Sequence, residues 1–136
     1  MKIVVDANII IAAIIRDGKC REILTNSNFE FLSPDFVLEE IWKYKDYILE
    51  RSSISENDFL FLMGTIFNNI TLVAHEDYAN KIKEAERIMK NDIRDVPFAA
   101  CYLALNCNGI WTNDSDYQGI KELELFSTKD LIDLIK

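Results

Sequence analysis

Ile3, Val4 and Val5 run without polar interruption into Asp6, and a helical pattern begins within two residues. An unbroken apolar run of this kind, rather than strict alternation, predicts a strand covered on both faces, as in a parallel sheet. Further strands are predicted at residues 30–32, 70–74, 110–112 and 125–126, with helical stretches between them. Strands that alternate with helices predict an α/β fold: a central, mostly parallel sheet with helices on both faces, three layers in all. No repeat, low-complexity tract or linker divides the chain, so residues 1–136 are read as one domain.

The helix boundaries carry their own signals. Asn8 is placed to cap a helix over 9–15, Asp17-Gly18 breaks it, and a second helix spans about 19–26. Ser33-Pro34-Asp35 has the composition of a helix start, with a Ser cap and Pro at the first helical position. The helix after it is expected to reach about Arg51, with an apolar stripe at Val37, Ile41, Tyr44 and Ile48. At about 100° per residue Glu39 points away from that stripe, while Glu40 falls on its border and can look inward. Ser55 opens a helix over about 56–68, and a charged amphipathic helix follows over about 76–90. After a loop at 91–94, Asp95 is the expected cap of a helix with Pro97 in its first turn. That helix is apolar nearly all round, which predicts a central position. Gly109 ends the turn after it, and Ser127 caps the last helix.

This alternation sends acids from distant segments toward one rim. In a parallel sheet the carboxyl ends of strands and the N-termini of the following helices share an edge, where ligands bind. Asp6 and Asp114 each follow a predicted strand, Asp95 begins a helix, and Glu40 is about six residues into its own, roughly 9 Å along the axis. Each acid alone also fits a cap, a turn or a solvated surface; the set is what points to chemistry. Gathered carboxylates repel, and burial raises their pKa values further, unless a cation offsets them. Oxygen-only donors suit Mg²⁺ or Mn²⁺ rather than zinc, which recruits His or Cys. Metal-assisted phosphodiester hydrolysis is the chemistry that matches.

Composition narrows the reading. The chain is 49% hydrophobic, as a folded domain requires, and its net charge of −8 excludes a general basic coat for nucleic acid. Cationic clusters at Arg16, Lys19 and Arg21 and at Lys43 and Lys45 are ordinary solvated charge or phosphate contacts. Cys20, Cys101 and Cys107 form no C-x-x-C pair and read as buried free thiols of a cytoplasmic protein. Neither a secretory leader nor an apolar run long enough for a membrane span is expected. His75 is expected on the surface, and Trp42 faces away from its helix's stripe.

Four blocks resemble the PIN-domain family: Val5-Asp6-Ala7-Asn8, Ser33-Pro34-Asp35-Phe36-Val37-Leu38-Glu39-Glu40-Ile41, Asp95-Val96-Pro97-Phe98-Ala99-Ala100, and Trp111-Thr112-Asn113-Asp114-Ser115-Asp116-Tyr117. They occur in the family's order and span nearly the whole chain. The resemblance implies a three-layer α/β/α fold and an Mg²⁺- or Mn²⁺-dependent nuclease acting on RNA. It implies an acidic quartet of Asp6, Glu40, Asp95 and Asp114, with Asp116 as a fifth metal ligand and Asn8 and Asn113 in support. Similar small prokaryotic PIN proteins are often VapC-type toxins held by an antitoxin, and many form homodimers. Two other readings fit parts of the pattern. One is a non-catalytic PIN-fold module that binds RNA or protein. The other is an acid-rimmed phosphoacceptor or aspartate phosphatase, for which Asn8 stands where a second acid is wanted.

Overall fold

In the computed structural model, which describes residues 1–15, 18–90 and 92–136, the apolar run becomes strand β1 (Lys2–Val5), with Ile3, Val4 and Val5 fully buried. The readings that fall on Arg16, Asp17 and Asn91 lie outside the described residues. Strands β2 (Glu30–Pro34), β3 (Ile70–Val73), β4 (Gly109–Trp111) and β5 (Leu125–Phe126) join β1 in one sheet of order β3-β2-β1-β4-β5. Every pairing is parallel. The sheet grows from β1 to β3 in one direction and then returns to place β4 on β1's other side. Right-handed crossovers therefore put the helices of the two halves on opposite faces.

Helices α1 (Ala7–Ile15), α2 (Gly18–Leu24), α3 (Val37–Lys43), α4 (Lys45–Ser52) and α5 (Glu56–Asn68) belong to the first half. Among them α1 packs against α2, α3, α4 and α5. On the other side α6 (His75–Tyr78), α7 (Ile82–Ile88) and α8 (Val96–Ala104) pack together, and α8 lies across β1, β2 and β4. Its Phe98, Ala99, Ala100 and Cys101 are buried, as its all-round apolar surface predicts. Helix α9 (Thr128–Ile135) returns to α2. Its Ser127 cap is a complete capping box with Asp130, and Ser55 caps α5 by accepting from the Asp58 N–H. The three cysteines are buried and no disulfide joins them, and burial pushes the Cys101 thiol up to about 12. No helix among the described residues is long and apolar enough to cross a membrane.

Several local expectations are corrected. Ser33 and Pro34 finish β2 instead of starting a helix: the Ser33 hydroxyl donates to the Val5 carbonyl 3.0 Å away, and α3 begins only at Val37, without a side-chain cap. The helix expected to reach Arg51 breaks at Tyr44 into α3 and α4. The helix expected over 76–90 is split by a 3-10 turn at Ala79–Lys81. Asn8 lies inside α1 and not at its cap, because the helix already starts at Ala7, straight off Asp6.

Gly109, expected in a turn, is the first residue of β4 and pairs with Ile3. A Cβ there would drive into the Phe126 ring and stand 3.2 Å from the Glu124 carbonyl oxygen. Gly109→Ala is therefore expected to cost about 1–3 kcal/mol, the usual penalty of overpacking. A urea-denaturation midpoint equal to that of the parent chain would contradict this.

Candidate metal centre

The return of the chain from β3 to β4 makes the gap between β1 and β4 the topological switch point of the sheet, where strand carboxyl ends diverge and a crevice opens. Asp6 leaves the end of β1 and is 3% exposed; its N–H donates to the Trp111 carbonyl at 3.1 Å, joining the two strand ends. The Thr112 hydroxyl donates to Asp6 Oδ2 at 2.7 Å and accepts from the Asp114 N–H at 3.0 Å. One threonine thus ties the acid after β1 to the acid after β4. Asp114 Oδ1 in turn accepts from the Asp116 N–H at 2.9 Å, so these acids are held by a short chain of hydrogen bonds.

Asp95 approaches from the start of α8. Capping was the ordinary explanation for an acid at this place, yet its side chain makes no cap hydrogen bond. It is 8% exposed, and its Oδ2 is buried without a hydrogen-bond partner. The Tyr117 hydroxyl is near enough to favour the ionised carboxylate, but it too is buried and completes no hydrogen bond of ordinary geometry. Burial is the main reason the Asp95 carboxyl is pushed up to about 7, with the charges of Asp6, Asp92 and Asp114 adding to it. Burial likewise raises Asp6; the Thr112 hydrogen bond and the N–H groups of Ala7 and Asn8 oppose the shift, and Asp114 reinforces it.

Asp6, Glu40, Asp95 and Asp114 all line one cleft of about 590 Å³, together with Asn8. Glu40 is partly open to solvent, with a side chain 36% exposed and Oε1 3.3 Å from Lys43 Nζ. Its neighbour Glu39 faces solvent, as the helical phase predicts. Asp116 is not on this cleft's lining. Its carboxylate lies within 4.8 Å of those of Asp95 and Asp92. Asn113 is turned elsewhere: its amide donates to the Thr128 hydroxyl at 3.5 Å, beside the Trp111 Nε1 donor at 3.1 Å.

Asp92 falls in the loop predicted over 91–94. It sits one 3-10 turn before Asp95, and an i, i+3 spacing in such a turn brings two side chains to the same side; that spacing is the signal that could have found it. Asp92 is also the acid that holds an arginine. Arg94 donates from Nε to Oδ1 at 3.1 Å and from Nη2 to Oδ2 at 2.9 Å, which lowers Asp92 to about 2. A shared hydrogen bond with Asp92 is the first cause of the raised pKa at Asp116.

The donors fit a hard divalent cation. They are mainly carboxylate oxygens, and among the described residues no His or Cys lines the cleft. Arg94 is committed to Asp92 and Lys43 to Glu40, so among the described residues no cationic side chain is bonded to Asp6, Asp95 or Asp114. The orphaned Asp95 oxygen, buried among three other acids, wants a positive charge, and none of the ion pairs among the described residues supplies it.

Comparison with known proteins agrees with this architecture. No curated protein matches the chain. A family model described as the PIN domain matches residues 4–130, nearly the whole sequence and all the acids of the cleft. With its parallel sheet and acid-rimmed switch point, the chain belongs to the PIN-domain family, whose fold is of the metal-dependent nuclease type.

Proposed function

We propose that this protein is an Mg²⁺- or Mn²⁺-dependent ribonuclease that hydrolyses phosphodiester bonds in single-stranded RNA. The observation that carries the reading is the buried, unpartnered Asp95 Oδ2 among Asp6, Asp92 and Asp114 in one cleft. Asp6, Glu40, Asp95 and Asp114 would hold the ion, with Asp116 as a fifth ligand. A bound ion would supply charge stabilisation at the phosphate and a water acidic enough to ionise near neutral pH. Thr112 keeps Asp6 and Asp114 aimed together. Glu40, half-open to solvent, is the carboxylate placed to orient an incoming water. Asn8 lines the same wall, whereas Asn113 acts through Thr128 and β4.

The same cleft favours unpaired bases. Tyr44 and Tyr47 stand on its rim, 47% and 48% exposed, with ring centroids 6.5 Å apart. Half-open aromatic faces beside a phosphodiester-cleaving centre suit bases that are not already stacked in a duplex. In this reading the protein is cytoplasmic and a homodimer, and serves either as a toxin restrained by a small antitoxin, as in the prokaryotic PIN proteins that its acidic blocks resemble, or as an RNA-processing enzyme.

Single-stranded RNA is expected to be cut with Mg²⁺ or Mn²⁺ present, to survive in excess chelator, and to survive Asp6→Asn while the circular dichroism of that variant matches the parent. Cleavage that persists in chelator or in Asp6→Asn would rule the mechanism out. One alternative is a PIN-fold module that binds RNA or protein without cutting; the complete set of acids counts against it, while the net charge of −8 counts against RNA affinity in either reading. Titration calorimetry separates them, because the module need not release or absorb heat with Mn²⁺.

A further inference from the structure

A second cavity, of about 480 Å³, opens on the far side of the acids. The two cavities share no lining residue, yet Asp116 lines this one while Asp92 and Asp95, its partners within 4.8 Å, line the other. The acidic centre is thus the partition between them. What distinguishes the second cavity is its charge. Arg87, Lys90 and Lys121 stand on its wall with Gln118, against the carboxylates of Asp116 and Glu122. In a chain of net charge −8, three cations on one small concave surface run against the average. Among the described residues none of the three makes an ion pair.

The other cations of interest are engaged at home. Arg21 donates from Nε to the Ala13 carbonyl at 2.6 Å, Lys43 pairs with Glu40, Lys45 with Glu56 and Arg94 with Asp92. The wall of the second cavity also comes from two separate segments: Arg87 and Lys90 follow from the end of α7, and Lys121 from the loop after β4. Gly119, at φ +81°, makes the turn in that loop, a conformation that other residues rarely adopt.

We propose that this cavity is a phosphate-binding subsite for the nucleic-acid strand on one side of the bond to be cut, with Arg87, Lys90 and Lys121 contacting successive backbone phosphates. The proposal rests on the nuclease reading for the identity of the strand. A strand whose bases lie against Tyr44 and Tyr47 and whose scissile phosphate reaches the acids must continue past Asp116. The cavity beyond is where its next negative charges meet fixed positive ones. This also accounts for how so acidic a protein can bind a polyanion: the attraction is local and adjoins the metal, so the repulsion of the remaining surface is screened beyond a Debye length, about 8 Å at physiological salt.

Counterion release makes the subsite measurable. Each phosphate neutralised on a single strand contributes roughly 0.7 to the slope of log affinity against log salt. In an Asp6→Asn background, so that the strand is not consumed, a fluorescein-labelled oligouridine is titrated over a series of potassium chloride concentrations. Replacing Arg87, Lys90 and Lys121 together with glutamine is expected to flatten the slope by about two and to weaken binding about tenfold or more at low salt. A control of equal charge change, Lys19→Gln with Lys129→Gln and Lys136→Gln, alters exposed lysines that line neither cavity and should leave the slope alone. An unchanged slope in the first variant, or an equal loss in the control, would overturn the subsite. Hydrolysis of bis(p-nitrophenyl) phosphate by the unaltered chain with Mn²⁺ reads the acidic centre separately. Its failure would count against the nuclease reading while the slope still decided the subsite.

Discussion

Asp95→Asn is expected to abolish RNA cleavage and, in the metal-free protein above pH 7, to raise the unfolding temperature. Both effects have one origin. Asp95 is buried beside Asp6, Asp92 and Asp114, and its carboxyl is pushed up to about 7 from the ordinary 3.8. Between those values the folded chain holds a proton that the unfolded chain has released. Stability therefore falls as pH climbs from about 4 through 7, and the whole penalty is present above 7. Its size is on the order of 2–4 kcal/mol, since each pKa unit is worth about 1.4 kcal/mol and any water reaching the carboxylate reduces it. Asparagine keeps the shape and has no such proton to lose, so the gap between variant and parent should open with rising pH. Asp6, whose pKa is also raised, contributes in the same direction in both chains.

With metal the order reverses. A cation that binds only the folded state stabilises it by mass action, and the parent should gain most where its acids are ionised. The asparagine variant should gain little. Its loss of cleavage should be roughly a thousandfold or more, beyond the ~10- to 100-fold that losing a supporting contact costs. Thermal melts below and above pH 7, with and without Mn²⁺, test all of this together. A metal-free variant that melts below its parent at high pH would show that Asp95 is held by something other than a missing cation.

Trp111→Ala is expected to be the most damaging single change to the fold, at about 3–5 kcal/mol. Trp111 is the largest fully buried side chain; its ring packs 5.6 Å from that of Phe31, and its Nε1 donates to the Thr128 hydroxyl at 3.1 Å. The substitution opens a cavity between sheet and helix and removes the bond that fixes the start of α9. A domain of ordinary stability has about 5–15 kcal/mol in hand, so the variant would sit near the edge of folding. Trp111→Phe keeps much of the volume and loses the hydrogen bond, at about 1 kcal/mol. Because Thr112 and Asp114 follow directly on the strand, Mn²⁺ affinity should fall with stability in the milder variant. Urea midpoints and Mn²⁺ titration measure the two losses. A Trp111→Ala midpoint matching the parent would show that the strand is held without this anchor.

The order of residues alone accounts for the alternation of strands and helices, the burial of Ile3–Val5, the caps at Ser55 and Ser127, and the arrival of Asp6, Glu40, Asp95 and Asp114 at one edge. These follow from local periodicity and short-range hydrogen bonds, and from the handedness that parallel connections obey. Packing between segments set the outcome wherever a local preference met a distant competitor. Ser33 has the chemistry of a cap, but its hydroxyl goes to Val5, 28 residues away in sequence, and its strand continues through Pro34. Asp95 has the position of a cap, yet its carboxylate is left unpaired among acids from other segments. Asp92 reads as a loop residue until the turn before α8 folds it against Asp95 and Asp116. Arg87, Lys90 and Lys121 share a wall only once α7 and the loop after β4 are packed. Spacing along the chain can say which side chains are available, but which charges face one another depends on contacts between segments, and those exist only after folding.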